Sequence, residues 1–60
     1  MSEFCKIEKV PYCDKFVLPV WLDLDDDKFE IKEIYFKSKY AAQKFRKTHI
    51  IINNEIVPIN

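Results

Sequence analysis

Apolar residues recur at every second position over residues 15–24, which is the period of a β-strand. The residues of one phase are all apolar and predict the face of the strand that packs into the core: Phe16, Leu18, Val20, Leu22 and Leu24. The residues of the other phase are Val17, Pro19, Trp21 and Asp23. Because proline lacks the N–H that a sheet ladder uses, Pro19 predicts either an edge position for this strand or a bulge.

A second strand is predicted over residues 28–37, after a turn at residues 25–27. Three consecutive aspartates form that turn, and aspartate accepts turn conformations that glycine would otherwise supply. Two pairs of apolar residues in the return strand fall in opposite phases, namely Phe29 and Ile31 against Ile34 and Phe36. We therefore predict a β-bulge near Lys32 and Glu33 that brings both pairs to the core face.

Residues 39–48 predict one amphipathic helix, with the Ser38 hydroxyl as its N-cap. One side of the helix collects the residues that are predicted to pack on the sheet: Ala41, Ala42, Phe45, Thr48 and His49. The other side collects polar and charged residues: Lys39, Tyr40, Gln43, Lys44, Arg46 and Lys47.

The two ends of the chain predict further short strands. Residues 3–10 alternate loosely and predict a strand that ends at Pro11. Residues 50–52 and 55–59 predict a hairpin, because the Asn53-Asn54 pair between them suits a type I′ turn. The element order β-β-β-α-β-β predicts an α+β fold, in which residues 1–60 form one domain with a helix packed across a small antiparallel β-sheet.

The composition excludes several classes of protein. The 60 residues include no glycine, which excludes a Gly-rich phosphate loop and a dinucleotide-binding fingerprint. No apolar run approaches the ~20 residues of a membrane-spanning helix, and no secretory signal is visible. We therefore expect a cytoplasmic protein with no membrane association. Cys5 and Cys13 are then expected to be reduced, and a disulfide between them is the less favoured alternative.

Charge is distributed unevenly although the chain has ten acids and ten lysine or arginine residues. Residues 23–33 carry six acids and two lysines, a balance of −4, whereas residues 37–47 carry five cations and no acid, a balance of +5. The charged helix face is either a solvated surface or a binding surface for nucleic acid or an acidic protein patch. The aromatic ring of Tyr40 among these cations favours binding. The acidic turn consists of Asp25, Asp26 and Asp27. It is either a solvated hairpin tip or a binding surface that imitates DNA phosphates or engages a basic groove of a partner.

Few residues offer catalytic or metal-binding chemistry. His49 is predicted to be a half-buried, hydrogen-bonded histidine, and with the two cysteines it gives three scattered ligands where a structural zinc site needs four. We therefore predict no enzymatic activity, no metal and no cofactor. Trp21 is predicted either to pack under residues 1–14 or to belong to an exposed apolar patch, which would contact a partner or a second copy in a homodimer.

Residues 34–47 read IYFKSKYAAQKFRK and resemble a common cassette of a strand, an N-cap and a helix. They are similar to the second half of an RNA-recognition motif. The strand pair followed by residues 36–39 and the helix also resembles the arm-type DNA-binding domain of tyrosine integrases. The chain lacks the β-α unit and glycine-aromatic signature of the first family and the basic sheet face of the second. We therefore assign it to neither family.

Two hypotheses for function follow from these patterns. In size and in its Lys-, Ile- and Asn-rich composition the chain resembles small accessory proteins of phages and mobile elements, many of which bind and block a host protein. The first hypothesis is therefore a non-catalytic protein-interaction module that inhibits or modulates its partner, with the helix face, the acidic turn and an open sheet edge as contact elements. The alternative is a small nucleic-acid-binding domain that uses the basic helix 39–47.

Overall fold

A computed structural model describes residues 2–59 of the chain. Its elements in chain order are β1 (Glu3–Phe4), β2 (Glu8–Lys9), β3 (Phe16–Asp23), β4 (Phe29–Phe36), α1 (Lys39–Thr48), β5 (His49–Ile52) and β6 (Glu55–Pro58). The predicted α+β fold with antiparallel sheets and one helix is confirmed. The N-terminal strand is present as two short pieces, and the last two strands form a separate hairpin.

β3 is the central strand of the main sheet, with β4 on one side and β1 and β2 on the other. The Pro19 carbonyl accepts a hydrogen bond from the Cys5 N–H at 2.8 Å. The Pro19 nitrogen, which has no hydrogen to donate, therefore points to the same side. The N-terminal segment contains a bulge opposite Pro19. Three of its residues, 5–7, lie opposite only two residues of β3, 18 and 19. The bulge therefore lies opposite Pro19 in the N-terminal segment and not in β3, where it was predicted, and the edge position predicted for β3 is wrong.

β3 and β4 pair in one unbroken antiparallel register along all eight residues of each strand. The bulge predicted near Lys32 and Glu33 is therefore wrong. The apolar residues at the end of β4 face the helix, whereas Phe29 and Ile31 lie on the opposite, outer face of the sheet. The outer face accommodates them because Trp21 also lies there, and the Trp21 and Phe29 ring centroids are 6.4 Å apart.

The core is small and lies between β3 and the elements that cross it. Ala42 of α1 is buried, and so is Val17, which lies on the outer face of the sheet in the same phase as Trp21. The core cluster consists of three buried residues of β3: Leu18, Val20 and Leu22. Partly buried residues from the other elements and from the N-terminal segment pack against this cluster: Phe4, Ile7, Ile34, Phe36, Phe45, Ile51 and Ile56. Phe16 and Leu24, at the two ends of the predicted core face, are only half-buried because the covering elements do not reach them fully.

The helix begins and ends where it is predicted to, at Lys39 and Thr48. The Ser38 hydroxyl accepts a hydrogen bond from the Ala41 N–H at 3.1 Å, which confirms the N-cap. Thr48, predicted to face the sheet, is exposed, because its hydroxyl donates to the Lys44 carbonyl at 2.9 Å. The apolar stripe is therefore narrower than predicted.

The C-terminal hairpin covers the far end of the core. Asn53 and Asn54 have φ angles of 50° and 63°, as the predicted type I′ turn requires at both central positions. The Ser2 hydroxyl connects this turn to the main sheet, because it donates to the Asn54 side-chain oxygen and accepts from the Asp23 N–H, both at 2.9 Å.

Candidate functional site

A cationic groove runs between α1 and the N-terminal segment. It has a volume of about 570 Å³ and is lined by Lys6, Ile7, Lys39, Gln43, Arg46 and Lys47. The four helix residues lie on three successive turns of α1, at position 39, at position 43 and at positions 46 and 47, so that they line one side of the helix. The N-terminal segment supplies the opposite wall because the bulge at residues 5–7 turns one lysine toward the helix while Ile7 packs on the core.

The groove collects positive charge without a neutralising acid. Four of its six lining residues are lysine or arginine, and none is acidic. Within residues 2–59, no ion pair involves these four cations. Like charges held this close repel each other, and a bound anion would relieve that repulsion. The groove is therefore suited to an anionic group.

The structure separates the predicted helix residues into two sets. Lys39, Arg46 and Lys47 line the cationic groove, whereas Tyr40 and Lys44 lie outside it. Tyr40 is 72% exposed, so its ring is free to contact a partner. Sequence analysis missed Lys6, because only the bulge that compensates for Pro19 places this residue opposite the helix.

The acidic turn lies at the opposite end of β4 from the helix N-terminus. Asp25, Asp26 and Asp27 are all exposed, and the last two have φ angles of 61° and 60°. β4 spans about 23 Å at ~3.3 Å per residue, so the turn and the start of α1 are well separated. Within residues 2–59 the turn makes no ion pair with the helix cations. The structure therefore does not bring these two predicted surfaces together.

β4 presents an open edge. Among the residues described, it pairs with β3 alone. The Leu24 N–H donates to the Lys28 carbonyl at 2.9 Å, so in this antiparallel ladder the even-numbered residues of β4 bond to β3. The residues whose N–H and C=O groups point to the open edge are Phe29, Ile31, Glu33 and Tyr35. An extended segment of another chain can pair with these groups.

The outer face beside this edge exposes three large apolar side chains, together with the carboxylate of Glu33. Phe29, Ile31 and Tyr35 are 62%, 55% and 53% exposed, and Trp21 is half-buried next to them. We call the open edge and these four side chains together the β4 surface. Neither alternative predicted for Trp21 is met in full, because apolar surface is exposed at Phe29, Ile31 and Tyr35, whereas Trp21 is half-buried and Val17, which lies in the same phase of β3, is buried.

The remaining candidate residues are accounted for by local contacts. His49 is half-buried, stacks on Phe45 at 3.8 Å between ring centroids, and its Nδ1 lies 3.0 Å from the Phe45 carbonyl oxygen. This agrees with the predicted hydrogen-bonded histidine. Cys5 and Cys13 are free thiols. Within residues 2–59, no cluster of three or more histidine, cysteine or carboxylate side chains could hold a metal ion.

No protein-family model, no curated protein and no solved structure matches this chain. The described part of the chain contains no helix with the length and hydropathy needed to cross a bilayer. The β4 surface and the cationic groove are the two exposed surfaces that suit a binding partner.

Proposed function

We propose that this chain is a small non-catalytic protein-interaction module that binds a protein partner through the β4 surface and thereby inhibits or modulates it. The observation that carries the proposal is an eight-residue strand whose outer edge has no strand partner among residues 2–59 and which exposes three large apolar side chains, Phe29, Ile31 and Tyr35, beside that edge. We place its action in the cytoplasm, where the exposed thiol of Cys13 would remain reduced.

Strand addition is the mode of binding that fits the β4 surface. Backbone hydrogen bonds along an open edge give affinity, and alternate side chains give specificity. The side chains at the edge include the aromatic rings of Phe29 and Tyr35, and aromatic residues dominate the binding energy of many protein interfaces. An extended partner segment with alternating apolar residues would satisfy both requirements, and a second copy of this chain contains such a segment.

We expect Ile31→Pro to abolish capture of a partner protein from a host lysate. Proline removes an N–H that points to the open edge, whereas the hydrogen bonds between β3 and β4 do not use it, so the fold should be retained. Affinity purification with quantitative mass spectrometry would measure the amount of captured protein. For the protein that binds through β4, this amount should fall roughly tenfold or more.

Two control variants locate the contact. Ile31→Ala keeps the N–H and should lose only part of the binding, while Lys39→Glu with Lys47→Glu changes the cationic groove and should retain it. If the same proteins are captured by wild type and by folded Ile31→Pro, the proposed mode of binding is wrong.

Nucleic-acid binding through the cationic groove is the second candidate function. The four cations of the groove, which form no ion pair within residues 2–59, support it together with Tyr40 on the same helix. Contacts between these cations and phosphates would release counterions, so affinity would depend steeply on salt. Stacking of a base on the exposed Tyr40 ring would favour a single strand.

If this second candidate is correct, the affinity for a single-stranded oligonucleotide should fall about fiftyfold between 50 and 200 mM salt, for about four phosphate contacts. Fluorescence anisotropy titrations would measure it. Lys39→Glu with Lys47→Glu should abolish binding, whereas Lys15→Glu with Lys28→Glu, which changes the net charge equally outside the groove, should preserve most of it. No binding at 50 mM salt by single- or double-stranded DNA or RNA would exclude this function.

A further inference from the structure

The backbone of β4 allows it to pair with itself. Two copies related by a two-fold axis perpendicular to the sheet place β4 antiparallel to its mate, with the outer faces of both copies on the same side. Directly opposite residues of the two strands then have their side chains on the same face of the joined sheet. In each such register, one residue of β4 lies at the two-fold axis, directly opposite its own copy. Registers that pair more than half of β4 are centred on Ile31, Lys32, Glu33 or Ile34.

Charge distinguishes these registers. A register centred on Lys32 or on Glu33 places that residue directly opposite its identical copy, and like charges in this position destabilise a sheet. A register centred on Ile34 brings no opposite charges together. A register centred on Ile31 places Glu30 of each copy opposite Lys32 of the other. Both side chains are exposed, and within residues 2–59 neither is part of an ion pair.

The hydrogen-bonding phase is compatible with the same register. The N–H and C=O groups of Ile31 point to the open edge, so Ile31 and its copy form a hydrogen-bonded pair on the axis, flanked by Phe29 opposite Glu33 on either side. These three pairs give about six backbone hydrogen bonds. Glu30 and Lys32 fall at non-hydrogen-bonded positions, where the side chains of opposite residues approach most closely.

We propose that a second copy of this chain occupies the β4 surface, in the antiparallel register centred on Ile31. This inference rests on the proposed function, because it names the partner of the same edge. The dimer joins two sheets into one, shields part of Ile31 at the axis, and forms two cross-strand ion pairs between Glu30 and Lys32. The helices and cationic grooves of both copies lie on one side of the joined sheet.

A charge-swap series measured by sedimentation equilibrium tests the register. Wild type should reach twice the monomer mass with increasing concentration. Glu30→Lys and Lys32→Glu should each raise the dimer dissociation constant about tenfold or more, because each places two pairs of like charges face to face. The double variant Glu30→Lys with Lys32→Glu restores opposite charges at both positions and should return the dissociation constant to near the wild-type value.

Two outcomes would overturn this inference. The first is a wild-type chain that stays monomeric up to about 1 mM, a concentration at which even a weak association of about −4 kcal/mol is visible. The second is a double variant that dimerises no better than the single variants. Neither outcome would contradict the proposed function. If the wild type is monomeric and captures a protein that the Ile31→Pro variant does not capture, β4 still binds a segment of another protein. Circular dichroism of each variant would confirm that these exposed substitutions leave the fold intact.

Discussion

Leu18→Ala is expected to leave a large fraction of the chain unfolded in water at room temperature. Leu18 is 0% exposed and lies in the centre of the core. Truncation of a buried leucine to alanine costs about 2–5 kcal/mol. A folded chain of 60 residues has a total stability of only about 3–9 kcal/mol at the usual stability per residue. Urea titration followed by the fluorescence of Trp21 would measure the loss.

Leu24→Ala is the matched control for this prediction. Both leucines belong to the same phase of the same sequence pattern, but Leu24 lies beyond the end of β3 and is only half-buried. Its truncation removes less buried area and leaves no enclosed cavity, so we expect it to cost less than half as much free energy. Equal losses for the two variants would contradict the placement of the core at the middle of β3.

Local sequence signals predicted the elements of this fold well. The alternation over residues 15–24 identified β3, and the Ser38 cap with the pattern that follows identified both ends of α1. The Asn53-Asn54 pair identified the last hairpin. Each of these signals depends only on residues that are close together in the sequence, so no knowledge of long-range contacts is needed to recognise it.

Long-range packing determined what the sequence could not predict. The expected bulge in β4 assumed that every apolar residue must reach the core face. The helix and the C-terminal hairpin cover one face of the sheet, and the molecule is a plate of 37 × 29 × 12 Å. Phe29 and Ile31 therefore remain on the outer face beside Trp21, and the unbroken register keeps every hydrogen bond to β3.

Pro19 explains why the candidate site was predicted only in part. The helix side of the cationic groove follows from the spacing of Lys39, Arg46 and Lys47. The other side requires the N-terminal segment to lie along β3 with one extra residue opposite Pro19, which brings Lys6 to the groove. A missing N–H in one strand thus changes the electrostatics of a surface formed by two other elements.

The thin plate also explains why one chain has two candidate surfaces. A chain of this length buries only about 60% of its unfolded surface, and here the helix and the C-terminal hairpin cover a single face of the sheet. The covered side carries the cationic groove, and the bare side carries the β4 surface. Since the two surfaces lie on opposite sides of β3, variants of one should leave the other unchanged.

Phe45→Ala is expected to detach the helix from the sheet and to lower the free energy of unfolding by about 2–3 kcal/mol, somewhat less than for a fully buried phenylalanine. The Phe45 ring lies 5.3 Å from Phe36, 6.4 Å from Phe4 and 3.8 Å from His49 between ring centroids, so three elements lose a common contact. Urea titration followed by far-ultraviolet circular dichroism would measure the change.

Tyr40→Ala is the matched control, because it makes the same helix-favouring change at an exposed position and should stay within about 0.5 kcal/mol of wild type. Equal effects of the two variants would mean that Phe45 does not hold the helix on the sheet. The position of α1 as one wall of the cationic groove would then be unexplained.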